Sequence, residues 1–173
     1  MFKENELVMY GSTGVCRVKK IGKPSFADSD DDRLYYLLEP VFQNGIIYAP
    51  VDNAKVPIRA IISAERAFEL LENLEELEVK EYTGRSMQQL SQHYQSILEN
   101  YSSVDLLALT KSIYIKELVA DRNNKHLGQI DKRYMKRAGD LVYGEFAIAL
   151  DTDRDKVEKY IKNRLEKNIL GNS

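Results

Sequence analysis

Cysteine is nearly missing from this chain. Cys16 is the only one, so no disulfide can form within it, and such usage fits a reducing cytoplasm. It lies in a strand-like run and reads as a small buried apolar residue rather than a reactive thiol. Histidine is scarce too. His93 and His126 are the only two, and neither has a cysteine or carboxylate at metal-ligand spacing. Gly11-Ser-Thr-Gly14 lacks the Lys-Ser/Thr and helix that would make a phosphate loop, and no serine sits in a nucleophile elbow. No apolar run approaches the length of a membrane span. The opening Met-Phe-Lys-Glu-Asn-Glu lacks the basic-then-apolar order of a signal peptide. Charge of one sign is also lacking: 25 Lys and Arg against 27 Asp and Glu leave a net charge of -2, so any basic surface has to be local. These absences predict no catalysis, no cofactor, no metal, no small-molecule substrate and no membrane partner.

What is present is an ordinary globular composition of 173 residues, 43% hydrophobic and 30% charged. The first part reads as β. Leu7–Tyr10 and Val15–Ile21 are strand-like. In the second, Val15, Arg17 and Lys19 alternate imperfectly with Cys16, Val18 and Lys20. The acidic stretch Asp28–Asp32 is expected to be a solvated loop; Ca²⁺ is the weaker alternative, because no Gly and no terminal Glu follow at EF-hand spacing. A hairpin over Arg33–Val51 organises the rest. Tyr35–Leu38 and Ile46–Tyr48 suit a pleated surface, and Asn44-Gly45 predicts a two-residue type I′ turn. Pro50 belongs at an edge or strand end. Ile58–Ile62 offers a last short strand. The expectation is a small barrel or strongly bent sheet.

At Ser63 the period changes to that of a helix. Ser63 is a cap, Ala67, Leu70, Leu71 and Leu74 form the inner face, and glutamates through Glu78 the outer one. Gly84 is a linker point. A stripe of Met87, Leu90, Tyr94, Ile97, Leu98 and Tyr101 follows. Ser103 is expected to cap the next helix, whose inner face includes Val104, Leu107, Leu118 and Val119. A long helix runs from about Gln129 to Leu150, and a last one points Val157, Tyr160, Ile161 and Leu165 inward. The fold class is therefore α+β, with a β domain over residues 1–62 and an all-α helical bundle over 63–173.

Two features suit binding. An open sheet edge can accept a strand from another chain; equally, the barrel can close or a loop can cover that edge. Lys132, Arg133, Lys136 and Arg137 fall at helical positions i, i+1, i+4 and i+5, with Lys125 and His126 one turn before. Such a stripe can neutralise phosphates without reading sequence. Equally, it can be a solubilising face paired with Asp131 and Asp140.

In order along the chain stand Phe2-Lys-x-x-Glu-x-Val8-x-Tyr10, Gly14-Val-x-x-Val18, Ile21, Tyr35-Tyr-Leu-Leu38, Ala49-Pro-Val51, Ala54 and Ile58-Arg59. Further on come Ser91-x-x-Tyr94, Leu98 and Leu141-Val-Tyr-Gly-Glu-Phe-Ala-Ile-Ala-Leu150. This ordered set resembles the CarD/CdnL family of bacterial transcription regulators, which shares its front module with the transcription-repair coupling factor. The resemblance implies a Tudor- or SH3-like β-barrel that docks, strand to strand, on the β subunit of RNA polymerase. It implies a helical domain that touches promoter DNA, without sequence specificity, at the upstream edge of the melted region and props the open complex. It further implies a monomer in the cytoplasm, associated with the nucleoid through polymerase. The strand Ile46, Ile47, Tyr48, Ala49 and Pro50, with Lys19 and Lys23 nearby, is then the polymerase-binding candidate. Leu90, His93, Lys125, Lys132, Arg133, Lys136 and Arg137 are the DNA-binding candidates. One departure matters. Many relatives carry a Trp wedge in a Trp-Ser-x-x-Tyr run, whereas here Leu90 precedes Ser91, Gln92-His93 follows, and the chain has no Trp. Weak DNA affinity of the isolated protein is expected. The alternative function is a protein-interaction adaptor with no DNA role.

Overall fold

The computed structural model describes every residue except 27–31, 53, 54, 81, 83, 100, 172 and 173, together with the side chain of Leu170. The acidic loop expected over Asp28–Asp32 therefore falls, Asp32 apart, outside the described residues, as does Ala54. The chain divides into two compact units, Met1–Ile61 and Ile62–Ser173.

The first unit is one antiparallel sheet of five strands: β1 (Leu7–Tyr10), β2 (Gly14–Gly22), β3 (Tyr35–Pro40), β4 (Ile47–Pro50) and β5 (Ile58–Ala60), in the order β4-β3-β2-β1-β5. Among the described residues β4 and β5 each have a neighbour on one side only, so the barrel expected from the sequence is not closed. Direct cross-strand pairing puts Val8 opposite Cys16, Val18 opposite Leu38, Ile21 opposite Tyr36, and Tyr36 opposite Ala49. Paired side chains share a face, so these residues gather into one core, sealed by Phe2, Tyr10, Ile47 and Ile58. The imperfect alternation of β2 has a local cause. A register shift between Val18 and Lys20 inserts one extra residue, so the inward parity passes from Val18 to Ile21.

The hairpin turn differs from the sequence expectation. β3 and β4 are joined by the six residues between Pro40 and Ile47, and only Gly45 among them has positive φ (127°). A type I′ turn needs positive φ at both central residues, and Asn44 does not supply it. Pro40, which has no N–H, ends β3 early and leaves the longer connection.

The second unit contains α1 (Ala64–Glu72), α2 (Met87–Leu98), α3 (Ser103–Arg122), α4 (Gln129–Ala149) and α5 (Arg154–Gly171). Ser63 caps α1 through its hydroxyl, which accepts from the Arg66 N–H. α1 stops at Glu72 rather than continuing through Glu78: Asn73 ends it, a 3-10 turn follows, and Leu77 is already extended. Lys111 of α3 fixes that change of direction. Its buried ammonium donates to the carbonyls of Glu75 (2.9 Å) and Leu77 (2.8 Å), and burial lowers its pKa. Arg164 of α5 holds the same turn. It donates to the Glu75 carboxylate at 2.5 Å and to the Glu72 carbonyl at 2.6 Å, and the first of these bonds holds the Glu75 carboxyl below its usual range.

α4 is the central helix, and Ala138 through Ala147 are buried except Asp140. Three expectations about facing are corrected. Met87 is 74% exposed at the start of α2, Val119 is exposed, and Tyr160 lies at the surface, where its hydroxyl donates to Glu72. Ser102, not Ser103, caps α3 by accepting from the Asp105 N–H. The Ser103 hydroxyl donates instead to Glu145.

Two outcomes test the first unit's core. Leu38→Ala should cost about 3 kcal/mol of stability in urea denaturation, because a fully buried side chain leaves a cavity between β2 and β4. Burial pushes the Cys16 thiol up to about 11 from an ordinary value of 9.0. The folded thiol ionises later than the unfolded one, so its contribution to stability is full below the unfolded value and is lost as pH rises through the folded one. Native protein should therefore resist iodoacetamide at mildly alkaline pH and become labelled only on unfolding.

Candidate interaction surfaces

The edge strand β4 can be built outward from one hydrogen bond. The Val51 N–H donates to the Leu34 carbonyl at 2.9 Å, so that pair is a hydrogen-bonded one. Antiparallel pairs alternate, so Ala49 and Ile47 also turn their backbone groups toward β3. The N–H and C=O of Tyr48 and the C=O of Pro50 are left pointing away from the sheet. Pro50 has no N–H, which bounds how far an added strand can run.

Side-chain direction follows the same alternation. Ile47 and Ala49 face the core, so of the candidates on this strand only Ile46 (59% exposed), Tyr48 (37%) and Pro50 present side chains outside it. On that outer face Tyr48 lies opposite Leu37, and Pro50 opposite Tyr35. Phe26 folds over them, edge-on to Tyr48 with centroids 4.9 Å apart, and 6.4 Å from Tyr35. Lys20, Lys23, Pro24, Tyr35, Leu37 and Tyr48 help line a shallow groove of ≈ 270 Å³. Lys19 is drawn aside into a 3.5 Å ion pair with Glu39. The sequence pointed to β4 and to Lys23 but missed Phe26. A lone aromatic beside Pro24 and an acidic run carries no periodic signal.

In the second unit, Lys132, Arg133, Lys136 and Arg137 are all exposed on α4, and Lys125 and His126 are exposed just before it. The pairing with Asp131 and Asp140 is half realised. Lys136 reaches Asp140 at 3.0 Å, both groups being solvated, which is worth little. Asp131 does not touch the stripe. It is buried, accepts from the Tyr94 hydroxyl at 2.5 Å, and pairs with Lys116 of α3 at 2.9 Å. Burial, and then the hydrogen bond to Asp131, raise the pKa of Tyr94. Among the described residues Lys132 and Arg133 have no carboxylate within ion-pair distance.

Tyr134 joins this stripe to α2. Its hydroxyl lies 3.3 Å from Ser91 and 3.3 Å from Gln95, its ring packs against Tyr94, and the Arg137 guanidinium lies over it at 5.4 Å. Ser91 is thus held beside the cations, with Leu90 next to it in the chain. Leu90 itself is half-buried. Met87, one turn earlier on the same face, is the apolar side chain given to solvent. His93 is placed elsewhere. It stacks 5.3 Å from Tyr82 and lines a groove of ≈ 430 Å³ with Leu77, Val79 and Ile97.

Residues 2–62 match the family model described as the CarD-like/TRCF RID domain. The chain carries a CarD-like domain. That module is the RNA polymerase-interacting domain shared with the coupling factor, and its match spans the whole five-stranded sheet. No curated protein matches the chain. No helix among the described residues is long and apolar enough to cross a membrane.

The Asp131 node supports the face carried by α2 and α4. Tyr94→Phe removes one donor from a buried carboxylate and should cost about 1–2 kcal/mol in thermal or urea unfolding, leaving Lys116 in place.

Proposed function

We propose that this protein regulates transcription initiation, docking on the β subunit of bacterial RNA polymerase and stabilising the open promoter complex. The observation that carries the reading is the one-sided pairing of β4 within a CarD-like domain. A partner strand adds to that edge, bonds to Tyr48 through its backbone, and packs side chains against Ile46, Tyr48 and Phe26. The α4 stripe then lays Lys132, Arg133 and Arg137 on DNA phosphates near the upstream edge of the bubble. These contacts are salt-dependent and indifferent to sequence. Attachment to polymerase raises the local concentration of the helical unit, so weak DNA contacts suffice despite a net charge of -2. The open state is favoured only to the extent that the protein binds it better than the closed one. An apolar wedge at the minor groove would come from Leu90 with Met87 beside it. The reading assigns the chain no catalysis and no cofactor.

One observation favours the adaptor reading. Leu90 is half-buried, and the chain has no Trp to stack on a base step. Two variants separate the possibilities. Tyr48→Pro removes an N–H that the sheet does not use, so the domain should stay folded while co-purification with the β subunit is lost. Retained co-purification would overturn docking at this edge. Reversing the charge of Lys132, Arg133, Lys136 and Arg137 should leave polymerase binding intact and shorten open-complex lifetime about tenfold or more at moderate salt. An unchanged lifetime would leave the adaptor.

A further inference from the structure

Glu145 is out of place by ordinary rules. It sits in the buried span of α4 and is fully shielded from solvent. Burying a carboxylate is costly unless donors reach it, and an apolar residue would pack here at no such cost. Donors do reach it. One oxygen accepts from the Ser103 hydroxyl, at the start of α3, at 2.9 Å. The other accepts from the backbone N–H of Ile62, also at 2.9 Å.

Ile62 is the first residue of the second unit. The residue before it is held as well, but by the first unit: the Ile61 N–H donates to the Leu7 carbonyl of β1 at 3.4 Å. The residue after it, Ser63, is the cap of α1. Glu145 of α4 thus holds the peptide immediately ahead of that cap.

We infer that Glu145 is a positioning residue that pins the Ile62 peptide and so fixes where the chain enters α1 of the second unit. The pin is made by Glu145 and Ile62, with Ser103 holding the other carboxylate oxygen.

Nuclear magnetic resonance on the full chain, with neither polymerase nor DNA present, tests the pin. In the native protein a scalar coupling across the hydrogen bond should link the Ile62 amide nitrogen to the Glu145 carboxylate carbon. Exchange of the Ile62 amide should be slowed at least about 100-fold relative to an unstructured peptide. Glu145→Leu should abolish that protection while the α4 amides stay protected. Glu145→Gln keeps an acceptor and should restore most of the protection, which packing alone would not do. A missing coupling with an unprotected Ile62 in the native chain overturns the inference even if Glu145→Leu fails to fold. So does a folded Glu145→Leu protein whose Ile62 remains protected. Loss of polymerase or promoter activity plays no part in these outcomes, so failure of the functional reading and failure of the pin are told apart.

Discussion

The second unit depends on a helix that buries two carboxylates. α4 is surrounded by the other helices, and a central helix would ordinarily be apolar throughout its covered length. Instead it carries Asp131 near one end and Glu145 near the other, both buried and both supplied with donors. Each acid recruits groups from other elements. Asp131 brings Tyr94 of α2 and Lys116 of α3 to α4; Glu145 brings Ser103 of α3 and the Ile62 peptide. Buried ionic groups are weak evidence for net stability, because desolvation offsets the attraction. Their directional demands instead select one arrangement of neighbours among the many that apolar contact would allow. That arrangement exposes the cations of α4 on one face beside Ser91 and Leu90.

The first unit has the opposite character. Its core is built of apolar side chains and the ring of Tyr36, whose hydroxyl accepts from the Phe2 N–H. Among the described residues the ladder from β5 to β4 pairs every inner strand on both sides and the outer strands on one. Such edges invite unwanted association, and proteins usually blunt them with charge, proline or short length. β4 has two of these features, being four residues long and ending in Pro50. The remaining opening is narrow and centred on Tyr48, whose side chain is part of an aromatic cluster on the outer face. Outward-facing backbone groups and an outward-facing aromatic ring thus coincide at one residue.

Much of this was legible along the chain. The switch from period two to helical spacing near Ser63, the Ser63 cap, the extent of α4 and the apolar character of Cys16 all follow from local patterns that burial does not overrule. The resemblance to CarD-like proteins was carried by short apolar and turn motifs, and the match to residues 2–62 bears it out for the front unit. The misreadings share a cause. Asn44-Gly45 has the right chemistry for a tight turn, but Pro40 ended the strand first. Met87, Val119 and Tyr160 keep helical spacing with buried neighbours, yet lie where no other helix covers them. Periodicity reports which face of an element is apolar, not how much of that face finds a partner.

By itself the sequence determined the order of β and α elements, the sign and position of the exposed cations, and the presence of a strand ending in proline. These are properties of residues within a few positions of one another. Only the tertiary structure decided that the sheet stays open, that Asp131 turns inward to Tyr94 and Lys116 and leaves only Asp140 to pair with the stripe among the described residues, and that Glu145 reaches a backbone amide 83 residues away. Such contacts join distant parts of the chain, and spacing along the sequence contains no term for the distance between them.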